Sequence, residues 1–422
     1  MLYTAAFFYV LIFWYVGYKN PRVPLMLIIA LSPFQNDMSG GGPLRFSMAE
    51  INMLLTVPLL LFTKRRSLTL GPYGPSIIFY LLVSLGCTLI NWRYTSLICL
   101  VQMVLYLVIG VLIFYALPRS EADYRFALDG LMVVTVAMAG TVLAKRTGYV
   151  WGLHKNGVGS SLGAALIVCT ELWFASSGRR RKVLSGALVI IAGGLFFTLS
   201  RGAWLGAIVG IGILIALRRE FKLLLRLNLV LVPLIAICWA HLPESSKDYA
   251  TGFSSDNFNI KMRFKSVDIA RELFDASPWI GNGVGLRKEY DATNLIWCTL
   301  AETGVIGLFA LLLMHEEVLR ITWKTQKNLD RRSVLYSGVA LGGALVFSRF
   351  IHGMVDHYWG RGPNTVVWAA VGMALYGYNA KRKALLAAHR RALMQQSLLN
   401  APEEPESLEE PIPEVAPALL TN

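Results

Sequence analysis

The chain has 422 residues, 55% of them hydrophobic and only 16% charged, with a formal net charge of +14. That balance excludes an ordinary soluble domain, in which about a quarter of the residues are charged. It also argues against a nucleic-acid partner, because the positive charge is gathered into short segments between apolar runs.

Apolar runs near membrane-spanning length recur at 2–18, 23–35, 48–63, 74–91, 95–117, 127–144, 159–177, 183–199, 203–217, 223–240, 294–318, 334–351 and 365–380. At roughly 20 residues per crossing they predict an all-α polytopic bundle of about 12–13 transmembrane helices over residues 1–380. The first two runs are short and flank Asn20-Pro21, which leaves the side of the N-terminus open. No small-residue cleavage site follows the first run, so it reads as a span rather than a removable leader. Basic residues cluster in alternate short loops: Lys64 to Arg66, Arg179 to Lys182, Arg218-Arg219, Arg331-Arg332 and Lys381 to Lys383. By the positive-inside rule these loops face the cytoplasm. Residues 36–47, 145–158, 200–202, 241–293 and 352–364 then lie outside.

Cys87, Cys99, Cys169, Cys238 and Cys298 all fall in predicted spans, so no disulfide framework and no zinc spacing is expected. Residues 381–399 read as a basic amphipathic helix lying on the inner membrane face, with Leu385, Leu386, Leu393 and Leu398 opposed to Lys381, Arg382, Arg390 and Arg391. Residues 400–422, rich in Pro and Glu, read as a disordered tail. No internal repeat is evident.

Chemistry needs a polar enclosure, and the long loop 241–293 is the main candidate, since loops beyond about 12–15 residues are either functional or disordered. Its aromatic and aliphatic residues at helical spacing predict order and short helices. Winding residues 261–274 at about 100° per residue puts Lys261, Lys265, Asp268 and Glu272 on one face. Phe264, Val267, Ala270 and Phe274 fall toward the other, with Arg263 among them. A guanidinium there either snorkels to water or meets an anion, and its planar fork suits phosphate oxygens. Arg201, in Ser200-Arg201-Gly202, sits at a tight outside turn where arginine is disfavoured, and Gly202 is expected to let the backbone turn and approach a ligand. The run Gly281, Gly283, Gly285 lacks the strand that a dinucleotide loop requires, and predicts a tight turn packing the loop onto the bundle. His241 and His315 sit at span ends and read as structural or solvated. His352 and His357 bracket Asp356 near Tyr358 and Trp359. They read as an interfacial aromatic belt, as a general base near the loop, or as part of a metal site.

Taken together, these residues resemble the O-antigen ligase and polymerase superfamily of bacterial inner-membrane proteins over roughly residues 150–320. The resemblance rests on four blocks in order: Asn156, then Ser200-Arg201-Gly202, then Arg263 with Ser277-Pro278-Trp279-Ile280-Gly281-Asn282-Gly283, then Asn294 with Ala301 to Leu308. The family carries His-Asn upstream of Gly-x-x-Gly. Here Asn294, Gly304 and Gly307 fit that spacing, and Thr293 stands at the histidine position.

What the resemblance implies is metal-independent, cofactor-free inverting transfer of a glycan from a polyprenyl-diphosphate-linked donor outside the cytoplasm. The acceptor is a second lipid-linked glycan or a lipid A core. Arg201, Arg263 and Arg271 would hold the diphosphate, and Gly281, Gly283 and Asn294 would shape the loop and turn. Threonine is no base near neutral pH, so the proton acceptor falls to His357 or Asp291, with Glu289 and His352 as alternatives. The missing histidine favours a polymerase over a ligase. A transporter or flippase of lipid-linked oligosaccharide is the competing class, although the chain lacks the repeat symmetry common there. Partners are membrane lipids and glycan substrates, not nucleic acid.

Overall fold

A computed structural model of the chain describes residues 2–36, 46–63, 67–222, 258–286, 290, 293–327 and 329–399, with scattered residues between 229 and 248. Glu289, Asp291, most of 223–257 and the tail 400–422 lie outside the described residues. The described residues form helices and no β-strand: α1 (Leu2–Lys19), α2 (Arg22–Ala30), α3 (Met48–Thr63), α4 (Gly74–Ile90), α5 (Tyr94–Ala116), α6 (Glu121–Lys145), α7 (Lys155–Phe174), α8 (Gly178–Phe197), α9 (Arg201–Arg218), α10 (Phe258–Ala276), α11 (Leu295–Gln326), α12 (Val334–Gly353) and α13 (Arg361–Leu399). Met1–Tyr378 is one compact unit, and a second begins at Asn379.

Among the described residues, seven helices are long and apolar enough to cross a membrane: α4 with the turn before it, α5, α6, α7, α9, α11 and α12; most of the expected run 223–240 lies outside the described residues. The chain is thus an all-α polytopic bundle, although the sequence predicts a larger number of spans. The expected runs that do not qualify include α2 and α3, too short at 9 and 16 residues, and α8, whose start carries Arg179 to Lys182. Capping fixes several helix starts. Ser120 and Asp123 form a reciprocal box at α6, and Ser333 accepts the Tyr336 N–H at 3.1 Å.

Small residues set the closest helix contact. Gly202, Gly206 and Gly210 line one face of α9, and a Cβ built at Gly206 would sit 3.1 Å from Ser348 O and 3.2 Å from His352 Cβ. Without side chains on that stripe, α12 lies directly on α9, which brings His352 beside the start of α9. At the other end of α9, buried Glu171 and Arg218 pair through two hydrogen bonds, one of them Nε to Oε2 at 2.9 Å. Arg218 and Arg331 each donate to the other's carbonyl oxygen at 2.9 Å. Two of the basic clusters therefore meet at one end of the bundle.

Candidate functional site

The other end of α9 and α12 opens into a cavity of about 750 Å³. Its walls come from separate parts of the chain. Gln35 donates to Gly157 O at 3.1 Å and to Ser161 Oγ at 3.2 Å, fastening the segment after α2 to the first turns of α7. His154 caps α7, its Nδ1 accepting the Asn156 N–H at 3.3 Å, so Lys155 and Asn156 are presented to the cavity from a helix N-terminus.

Another wall is α10. Lys261, Lys265, Asp268 and Glu272 are exposed, as the helical wheel predicts, while Ser266 and Ala270 are buried. Phe264 departs from the expectation: it is 64% exposed, because the docked face runs through Arg263, Ser266, Ala270 and Leu273 instead. Ala270 packs with Ala301 and Leu286 in a small apolar cluster, and the Thr293 N–H donates to Ser266 Oγ at 3.3 Å. Half-buried Arg263 and the buried family-histidine position Thr293 both line the cavity. Among the described residues Arg263 has no carboxylate within salt-bridge distance.

What holds α10 in place is the glycine loop. Gly281, Gly283 and Gly285 have φ of +66°, +87° and +112°. Helix α11 is broken at Gly304, where φ is 64° and ψ is −165°, a region open almost only to glycine. The loop docks on that break: Asn282 N–H donates to Ala301 O, Gly283 N–H to Glu302 O and Val305 N–H to Pro278 O, each at 2.9 Å. Asn282 Nδ2 reaches back to Leu273 O at 2.6 Å, tying α10 to the same point. The two glycine blocks are therefore one joint, and the loop is the expected packing turn.

Asn294 caps α11, its Oδ1 accepting the Ile296 and Trp297 N–H groups at 3.0 and 3.1 Å. Its Nδ2 donates to Met354 O at 3.0 Å, which anchors the segment after α12. That segment brings Asp356 and His357 to the cavity beside His352 of α12, so the two histidines share one wall although they share no helical face.

Arg349, which belongs to none of the sequence motifs above, organises this wall. It is buried and donates from Nε to Tyr358 O at 2.8 Å, and from Nη2 to His357 O and Tyr358 O. Its Nη1 lies 3.1 Å from His352 Nδ1. A guanidinium has no acceptor, so Nδ1 must accept, and the ring proton of His352 sits on Nε2. That Nε2 is buried without a hydrogen-bond partner, 3.6 Å from Asp356 Oδ2. His352 thus turns its N–H toward Asp356 and is not a free base. Asp356 Oδ1 accepts the His357 N–H at 2.8 Å. Burial alone would raise this carboxyl, but the His352 side chain and His357 outweigh it and hold Asp356 well below the usual carboxylate range.

The structure places three expected residues as follows. Arg201 begins α9 and is not among the residues that line this cavity. Gly202 does not make the turn; Leu199 does, with φ of +53°, and Gly202 instead accommodates His352 and Val355. Arg271 is exposed on α10, away from the cavity. His315 is buried, with Nε2 2.9 Å from Tyr358 Oη, in keeping with a structural role. The signal that identifies Arg349 in sequence is a charge inside a span, in Ser348-Arg349-Phe350.

Residues 186–312 match the family model of the O-antigen ligases. The span contains Arg201, Arg263, the glycine loop, Asn294 and the break at Gly304, and ends before Arg349, His352 and His357. The resemblance to the O-antigen ligase superfamily is borne out over these residues. No curated protein matches the chain.

Proposed function

From the O-antigen ligase match over residues 186–312, we propose that the protein joins polyprenyl-diphosphate-linked oligosaccharides by inverting glycosyl transfer, without a metal, on the extracytoplasmic side of a bacterial inner membrane. The observation that carries this is Arg263: a half-buried arginine in a polar cavity with no carboxylate partner among the described residues. An uncompensated guanidinium at such a place calls for an anionic ligand, and diphosphate oxygens fit its fork. Lys155, at a helix N-terminus on the same cavity, adds to the attraction.

In the reaction the acceptor hydroxyl oxygen bonds to the anomeric carbon of the donor glycan. The bond from that carbon to the phosphate oxygen breaks, and polyprenyl diphosphate leaves with the electron pair. Cationic groups neutralise the charge that grows on the diphosphate. The hydroxyl proton passes to the imidazole of His357. His357 is exposed and lines the cavity, whereas His352 already carries its proton on Nε2 and Asp356 is too weak a base. Asp291 is the alternative acceptor, outside the described residues. Thr293 at the histidine position favours a polymerase, with a second lipid-linked glycan as acceptor.

The test is the reaction itself. Purified full-length protein, given the polyprenyl-diphosphate oligosaccharide extracted from the producing cells, should release polyprenyl diphosphate and form an extended glycan with inverted anomeric configuration. Retention of configuration, or no product with any acceptor, contradicts the proposal.

A further inference from the structure

After Gly353 the chain folds back over the end of the bundle, and Tyr358 fixes the fold. Its carbonyl oxygen accepts from Arg349 and from Asn364 Nδ2 at 2.9 Å, and its hydroxyl meets His315. With Tyr358 pinned, the next residue is held as well. Trp359 stacks on Tyr80 with ring centroids 6.4 Å apart and planes 4° apart, and meets Tyr358 edge-on at 5.0 Å. Below this aromatic wall lies a second cavity of about 320 Å³. It touches the main cavity through Gln35, His357 and Gly360, which line both.

The second cavity differs in chemistry from the first. Its lining combines Trp359 with the amide of Gln102 and the side-chain oxygen of Gln35, whose amide hydrogens are taken by Gly157 and Ser161, and among the described residues that line it the cation Arg361 lies 4.0 Å from the buried carboxylate of Glu50. Glu50 is itself held by the Ser47 N–H at 2.6 Å and by the Tyr106 hydroxyl. Glu50 offsets part of the Arg361 charge, which makes this cavity less suited to a diphosphate than the one that Arg263 lines. An aromatic surface beside a primary amide and a second amide oxygen suits a sugar: the ring covers its C–H face, the Gln102 amide both donates to and accepts from hydroxyls, and the Gln35 oxygen accepts. The volume is at the small end for ligand pockets and has room for the end of a glycan but not for its lipid.

We propose that this second cavity is the acceptor subsite, which takes the terminal sugar of the incoming glycan and delivers its hydroxyl to His357. The proposal rests on the glycosyl-transfer reading and deepens it. Inversion requires the attacking oxygen to approach from the side opposite the leaving diphosphate, and two cavities meeting at His357 provide the two sides. The new bond forms between the acceptor oxygen and the anomeric carbon. The bond to phosphate breaks, and the proton moves to His357.

Cys298 lines the second cavity and not the first, which supplies a reporter. In full-length protein with the other four cysteines replaced by alanine, a small thiol reagent should modify Cys298. Two lipid-free probes serve as acceptors: the repeat-unit oligosaccharide and the core oligosaccharide, each released from the producing cells by mild acid. One of them should slow modification at least fivefold, and which one does so tells a lipid-linked repeat from a lipid A core as the source. The donor alone should not protect. In parallel, Trp359→Leu should raise the acceptor KM about tenfold with donor binding unchanged, and Trp359→Phe should recover most of it. Wild-type transfer with no protection by either acceptor probe, or protection by donor alone, overturns the subsite and leaves the transfer reading standing. An acceptor KM unchanged in Trp359→Leu also overturns it. Absence of transfer in the wild type overturns both.

Discussion

Replacing Gly304 by alanine places a methyl group 2.3 Å from the backbone of Trp279, at a φ of +64° that alanine rarely adopts. Neither side of the clash is a flexible side chain, so the glycine loop has to lift off α11. Three backbone hydrogen bonds at 2.9 Å cross that joint, each worth about 0.5–1.5 kcal/mol net. Backbone strain at such a φ and ψ adds about 1–3 kcal/mol. The expected loss is about 2.5–7.5 kcal/mol, the upper part of which lies at the extreme of single substitutions. Function should suffer as well, because Asn282 links the same joint to α10 and hence to Arg263. The assay is thermal unfolding in detergent together with donor binding, with Gly212→Ala as control, since a Cβ at Gly212 meets nothing within 4 Å. A Gly304→Ala protein that melts with the wild type and binds donor normally refutes the joint.

If His352 acts through its Nε2–H, then His352→Gln, which keeps a donor near that place but offers no base, should retain most turnover, and His352→Ala should lose it. Equal loss in both well-folded variants would make His352 the base. His357→Ala should lose most turnover while still binding donor, whereas full turnover there with loss in Asp291→Asn would move the proton to the carboxylate. For Asp356 the sign follows from its depressed folded value. Its contribution to stability is complete above the unfolded value of about 3.9 and is lost as pH falls through the lower folded value. Asp356→Asn should therefore lower the Tm at pH 7, and the gap to wild type should narrow below about pH 4; a gap that widens on acidification contradicts the assignment.

Much of this was legible from residue patterns. Apolar runs predict the helical bundle, and the charged stripe Lys261, Lys265, Asp268, Glu272 predicts which face of α10 stays wet. The glycine run, with no strand before it for a dinucleotide loop, predicts a packing turn, and the three glycines there have positive φ. What was not legible depends on contacts between distant segments. Nothing local says that Gly281 meets Gly304, or that the α9 glycine stripe carries His352 to the cavity. Arg201 reads as a cavity residue because of its outside turn, yet it is not among the residues that line the cavity. Arg349 was hidden because its partners are carbonyl oxygens eight and nine residues on, which have no sequence signature.

Donor binding and glycan transfer measured side by side in Arg263 variants test the diphosphate clamp most directly. Arg263→Ala should abolish transfer and weaken donor binding while membrane abundance stays near wild type. Arg263→Lys should restore little, because the ammonium lacks the fork that grips two phosphate oxygens. Wild-type glycan assembled by Arg263→Ala would contradict the clamp, and with it the proposed function of the cavity.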